Sequence, residues 1–447
     1  MSNHRETVLV AVVAGFIAVF ASEVLRRMSY QRDKKKLGPI PKSMFGRTLL
    51  QEEFALKASY AYCNCGSFGQ VPQRIILEQL RIMQKREADP DGWYRFGNEK
   101  SLYLKSVKQL ADFVGANPDN LVLVENASTG TNTALRSIHL AAGDKILVTS
   151  DTYEAVLKNV KVLLDEIPGL EKVQLELTFP IQSEQDIIVQ YEKVISANPG
   201  IKVAILDHIA SQSAVRMPLK PLIDLCHSKG ILALVDGAHA PGHLHLNLEE
   251  LGADFYVGNI HKWLFAPRGC ALMWVHPKHH DNTNPLVVSH NHMLQTLVDR
   301  FVPSATRDSS AYLAVPAALE FHHALGGLGV IQERNSDLVT AASKMLSEAW
   351  GSEEYPIPLD LRAPFMALVA MPQVFQDHFP PDEDSCNKLM KRMHEKGIFL
   401  CVTNVDGKLW ARLSAHVWNS MEDFIVVRDT VLEMAKAVPS VVNGGLV

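Results

Sequence analysis

The sequence predicts an α/β protein built on a mostly parallel sheet with helices over its faces. Three observations carry this: short, wholly apolar runs, amphipathic stretches of helical length between them, and an aspartate, Asp236, at the end of the run "LALVD". Runs without polar alternation are strands buried on both faces, the habit of parallel sheets, and the intervening helices supply the crossovers that parallel strands need. Ligands of such sheets sit at the carboxyl ends of the strands. A carboxylate emerging there costs roughly several kcal/mol unless it is paired, so Asp236 needs a cationic partner or a ligand.

Taken in order, the chain opens with "TVLVAVVAGFIAVFASEVL", residues 7–25, whose only charge is Glu23. Its length is close to the about 20 residues of a bilayer-spanning helix, and no clear small-x-small site before Glu23 marks a cleaved signal peptide. Arg26, Arg27, Arg32, Lys34, Lys35 and Lys36 follow it while Arg5 stands before it. Basic flanks stay cytoplasmic, so the expectation is a single-pass membrane anchor with the body facing the cytosol. Beyond the linker "KKKLGPIPKS" the strand candidates are "LVLVEN" near 121, "KILVTSD" near 145, "VAILDHI" near 203, "LALVDGA", "DFYVGNI" near 254 and "CALMWV" near 270. Between them lie helical stretches such as "GTNTALRSIHLAAG" and "LKPLIDLCHSKG", the latter with Pro221 near its start and Gly230 at its stop. After about residue 310 the pattern turns helical before shorter strands near 365 and 410, a second, smaller α+β unit. The expected organisation is anchor and basic flank 1–36, N-terminal arm 37–65, large domain 66–310 and small C-terminal domain 311–447.

Composition narrows the function classes. At 447 residues and 47% hydrophobic the chain has material for a large core. Its net charge is −5 and its dense basic run lies near the N-terminus, so the body carries no nucleic-acid footprint. Six cysteines, at 63, 65, 226, 270, 386 and 401, are too scattered for a disulfide framework and fit a reduced compartment. The histidines 276, 279, 280, 290 and 292 lack His-x-x-x-His spacing or a cysteine partner, so they read as a polar loop near a dimer interface and no metal site is expected. "GGLGV" at 326–330 is too short for a nucleotide loop and reads as a helix C-cap.

A partner for Asp236 stands in "GNIHKWLFAPRG", where Lys262 is flanked by His261 and by Trp263, Leu264 and Phe265. Apolar bulk desolvates an amine and lowers its pKa, and a neutral amine can form a Schiff base with an aldehyde. In "ENASTGTNTALRS" Ala127, Ser128 and Thr129 open a helix whose N–H groups and dipole suit a phosphate. Each feature alone has an ordinary explanation: a strand-end lysine, or residues that are simply good N-caps. Together, an acid, a desolvated amine and a phosphate cradle describe a site for pyridoxal phosphate (PLP), whose ring acts as an electron sink while an acid holds its nitrogen protonated.

The motifs "DGAHAPG", "GNIHKW" and "APRG", with "ENAST" and "SATRDSSAYLAVP" in order, resemble the class V aminotransferase family of PLP fold type I over residues from about 60 to 420. The resemblance is nearest to the isopenicillin N epimerase-like branch that includes cysteine lyases. It implies a large PLP-binding domain and a homodimer with its active sites at the subunit interface. It also implies roles: Lys262 as the Schiff-base lysine, Asp236 as the acid on the pyridine nitrogen, and His239 and Ser211 near the phenolic oxygen. Tyr153 takes the place of the ring stacked on PLP, Ser128, Thr129 and His261 are phosphate ligands, and Thr306 reaches the partner subunit's phosphate. Ala305 stands where the family has a glycine before that threonine. Arg412, in "LWARLSAHVWN", matches the arginine that clamps a substrate carboxylate, and Asn64, Gly66 and Ser67 resemble the loop covering the substrate.

Reaction type is left open by these residues, since transamination, racemisation and β-elimination share the cofactor and differ in the groups around Cα and Cβ. Cys401, in the apolar "GIFLCVTN", is expected to be a buried, inert thiol rather than a persulfide carrier. The leading expectation is therefore a C–S β-lyase of a cysteine-type amino acid, of the cysteine desulfhydrase or hercynylcysteine sulfoxide lyase kind. The alternatives are an epimerase of the isopenicillin N type and a catalytically silent membrane-bound scaffold.

Overall fold

Twelve strands lie among the described residues: β1 (Ala61–Tyr62), β2 (Leu121–Val124), β3 (Lys145–Thr149), β4 (Glu171–Leu175), β5 (Ile201–Asp207), β6 (Leu232–Asp236), β7 (Phe255–Asn259), β8 (Ala271–Val275), β9 (Met366–Ala370), β10 (Ile398–Phe399), β11 (Cys401–Val405) and β12 (Lys408–Ser414). The computed structural model describes residues 38–438 apart from 293, 304 and 305. The expected anchor and Ala305 lie outside them. No single helix among the described residues is long and apolar enough to cross a membrane, and from Pro41 onward the chain forms one compact unit.

Seven strands make the main sheet in the order β2-β8-β7-β6-β5-β3-β4. β4, β3, β5, β6 and β7 run parallel, while β8 is antiparallel to both β7 and β2. All six strand candidates are present, and β7 and β8 are buried at every residue, as strands covered on both faces should be. β4 is the strand that apolar patterning does not reveal. Its sequence Glu-Lys-Val-Gln-Leu forms the sheet edge with three of five residues exposed, so burial imposes no pattern on it.

The C-terminal sheet, in the order β11-β12-β9, is antiparallel. Leu409, Ala411 and Leu413 of β12 join Val339, Leu346, Val369, Phe424 and Val427 in a core with the helices Gly327–Trp350 and Met421–Lys436. Strand alternation then turns Arg412 to the opposite face. Gly326, with φ 98°, donates its N–H to His323 O just past the helix Val315–Ala324, whose C-cap is Leu325, and is itself the N-cap of Gly327–Trp350, so "GGLGV" mostly opens a helix where a C-cap was expected. The arm before residue 65 is tied down too: β1 pairs in parallel with β10, which brings the loop that follows it over the strand ends of the main sheet.

Candidate active site

The carboxyl ends of β5, β6 and β7 open into a cavity of about 200 Å3. Its wall includes Asn126, Ser128, Tyr153, Asp207, Ser211, Asp236, His239, His261 and Lys262, with Phe68 from the N-terminal loop. Seven of the nine residues expected to hold the cofactor, all but Thr129 and Thr306, therefore meet in one place, although they come from segments far apart in the chain.

Asp236 ends β6, is buried, and accepts one hydrogen bond, from the Ala238 N–H at 3.0 Å. Burial pushes its carboxyl up, and that N–H and the Lys262 ammonium pull it back. Lys262 sits in the single turn Ile260–Trp263 directly after β7, with Trp263, Leu264 and Phe265 fully buried behind it. This desolvation, and then Arg412, lower the amine to about 8, against the opposing pull of Asp236. The effect expected of the apolar flank is present. His239 Nε2 lies 3.1 Å from Lys262 Nζ and 3.3 Å from Ser211 Oγ, while Nδ1 has no partner among the described residues. Burial and the neighbouring Lys262 and Arg412 hold its imidazole neutral.

The phosphate end is built on the helix Ala127–Ser137. Asn126 caps it by accepting from the Thr129 N–H at 2.8 Å, and Asn259, the last residue of β7, accepts from the Ala127 N–H at 2.9 Å. Ser128 faces the cavity between these fixed amides, and His261 lies beside it with Nδ1 3.0 Å from Cys270 O. Thr129 does not line the cavity, and Thr306 is exposed away from it. Tyr153, at the start of the helix Glu154–Glu166, is half-exposed at the cavity wall.

Arg412 is buried yet has no carboxylate within ion-pair distance among the described residues. Nη1 donates to Ser211 O at 2.6 Å, and Nη2 to Ser67 Oγ at 2.9 Å and Asn64 Oδ1 at 3.2 Å. Its Nε has no partner among the described residues. A buried guanidinium held only by neutral groups retains a charge that an incoming carboxylate can match with a bidentate grip. The loop that carries Asn64 and Ser67 also presses on the lysine turn. Gly69 has φ 63°, and a Cβ there would overlap the His261 carbonyl, so glycine is required for this approach. Arg268 holds the loop by donating to Phe68 O at 3.1 Å and Gly69 O at 3.0 Å.

These residues fit PLP. The helix N-terminus suits the phosphate, His239 Nε2 with Ser211 Oγ beside the lysine the phenolic oxygen, buried Asp236 the ring nitrogen, and the depressed Lys262 amine the aldehyde. The comparisons agree: a model described as aminotransferase class-V matches residues 69–368. The chain belongs to that family. Within the class V aminotransferases it is 28% identical over 418 residues to an L-cysteine desulfhydrase of Arabidopsis thaliana, covering 87% of this chain and 90% of that one. It is 23% identical over 393 residues to the hercynylcysteine sulfoxide lyase of Schizosaccharomyces pombe, covering 85% and 95%. A solved cystine C–S lyase in complex with cysteine persulfide shares the fold, with a TM-score of 0.70 at 18% identity over 83% of this chain and 97% of that one.

Besides Thr129 and Thr306, which stand away from the cavity wall, two findings differ from the sequence reading. Cys401 is half-exposed rather than buried: it opens the edge strand β11, in register with Arg412 of β12, so its apolar neighbours cover only one side. Asp207, Asn126 and Asn259 belong to the site and were not singled out. The signal for Asp207 was present, because it ends "IKVAILD" as Asp236 ends "LALVD".

Proposed function

We propose that this class V enzyme is a PLP-dependent β-lyase that cleaves the C–S bond of a cysteine-type amino acid. The observation that carries the amino-acid part is Arg412, buried without a carboxylate and tied through Ser211 to His239 and Lys262. The names of the curated relatives support the sulfur substrate. Bound in the cavity, PLP supplies an electron sink that stabilises the negative charge left at Cα and so allows a sulfur group to leave from Cβ. Arg412 holds the carboxylate and thereby sets which Cα bond stands across the ring. Lys262 Nζ, lowered to about 8, is the group placed to take the Cα proton, and neutral His239 beside it at 3.1 Å orients that amine. No cysteine lines the cavity among the described residues, and the Cys65 Sγ donates to Lys262 O at 3.3 Å from a fully buried position. This supports release of the sulfur without a protein persulfide.

The test is product balance with the purified protein and L-cysteine. Sulfide, pyruvate and ammonia in equal amounts are expected. Alanine with sulfur retained on the protein would indicate a desulfurase, and inversion at Cα without pyruvate an epimerase.

The proposal extends to a homodimer tethered by residues 7–25 with its body in the cytosol. The exposed apolar side chains of Phe68, Phe96, Val287 and Val288 support a covering partner copy, and exposed Thr306 is free to reach it. The basic flank after Leu25 supports the orientation. Sedimentation and protease protection in intact microsomes test the two: a monomer, or a protected body, would refute them.

A further inference from the structure

Asp207 and Asp236 are register partners at the ends of adjacent parallel strands. Asp207 is buried, lines the same cavity, and leaves Oδ2 without a partner among the described residues. Asp236 has both the Ala238 N–H and the nearby Lys262 ammonium to stabilise a negative charge. The groups that face Asp207 are Asp236 on β6, Asp151 just after β3 and Tyr191 on the helix Glu184–Ala197, with Cys226 beside Tyr191. Lys262, and Tyr256 on β7, face Asp236 instead. Among the described residues none of the groups facing Asp207 is a cation. Two neighbouring carboxyls in a low-dielectric setting do not both ionise, and the one with better donors takes the charge.

We propose that Asp207 is a positioning residue that keeps its proton at the working pH and so holds the pair at the β5 and β6 ends to one negative charge, carried by Asp236. The proposal rests on the reading of Asp236 as the partner of the PLP ring nitrogen. A single anion matches the single positive charge that a protonated ring nitrogen brings, whereas two would draw a further proton or cation into the site. Burial, then Asp236 and Asp151, push the Asp207 carboxyl well above the usual carboxylate range, in the direction the geometry requires.

The experiment compares the full-length holoenzyme with Asp207→Asn. An acid raised in the fold keeps its proton after the unfolded chain releases it near pH of about 4, so wild type loses stability as pH rises from there towards the folded value. The asparagine has no proton to lose. Its unfolding equilibrium should therefore improve on wild type by up to about tenfold per pH unit between about pH 5 and 8, read as denaturant midpoints. The infrared carbonyl stretch of a protonated acid should be present in wild type at about pH 8 and lost in Asp207→Asn. A stability difference that is flat across this range, or a band that survives the substitution, overturns the proposal. Should Asp207→Asn fail to fold, wild type labelled with carbon-13 aspartate decides: Asp151, raised to about 6, is then ionised, and absence of an aspartic-acid band overturns the assignment. Neither readout needs a substrate, so failure here leaves the lyase reading standing, and a protein inactive on cysteine can still pass both.

Discussion

Two buried carboxylates mark opposite ends of β6, and they live in opposite ways. Asp254, just before β7, is fully buried and saturated. Oδ1 receives Lys278 Nζ at 2.7 Å and lies 2.6 Å from His279 Nε2, while Oδ2 accepts the Ala233 N–H at 2.8 Å and lies 2.9 Å from His227 Nε2. Burial alone would raise its pKa, but these bonds win and hold it below the usual carboxylate range. Asp236, at the other end, has the one Ala238 N–H and is raised. The folded chain meets every need of the first acid and leaves the second with unmet capacity beside an amine and a cavity. Burial therefore does not distinguish a structural acid from a functional one. Saturation does, and it also explains the histidine loop: His279 stacks on Phe255 and serves Asp254.

The contrast is sharpest in mutants. Lys262→Ala should cut turnover by at least about 1,000-fold, the scale on which loss of a nucleophile acts, with little change in melting temperature; residual wild-type turnover would place the chemistry elsewhere. Asp236→Asn should lower kcat by about 100-fold or more while leaving stability equal or higher, because a neutral amide cannot hold the ring nitrogen protonated. Asp254→Asn should do the reverse. Loss of its charge-assisted bonds should cost about 2–3 kcal/mol in denaturant titration, with kcat retained below the transition. If both substitutions move both quantities alike, the distinction fails.

Smaller effects refine the site end. Arg412→Lys should raise KM by about 10- to 100-fold and change kcat less, since an ammonium has no two-pronged grip on a carboxylate. Capture of PLP by cofactor-free protein should accelerate about tenfold per pH unit below the Lys262 value and level off above about 8, because only the neutral amine attacks; stopped-flow absorbance checks it. Cys401→Ser should leave turnover within about 2-fold. The thiol is half-exposed on an edge strand and contributes nothing to the cavity wall.

Much of the site was legible because its residues violate the local pattern around them. An acid closing a wholly apolar run and a lysine set before Trp-Leu-Phe state their requirements in the sequence, and both lie where those requirements placed them. Asp207 breaks the same rule and could have been found by applying it to β5. Other features had no local signal. β4 is exposed at the sheet edge, β1 exists through its pairing with the distant β10, and the partial exposure of Cys401 depends on β11 being an edge strand. Strand order is decided by long-range pairing, which hydropathy within a short window does not contain.

The claim on which the rest depends is that the cavity at the ends of β5, β6 and β7 holds PLP on Lys262. Borohydride reduction of the purified holoenzyme, followed by peptide mapping, tests it most directly. The account predicts one pyridoxyl label, on the peptide that carries Lys262. A label on any other lysine, or a protein that binds no PLP, would contradict it.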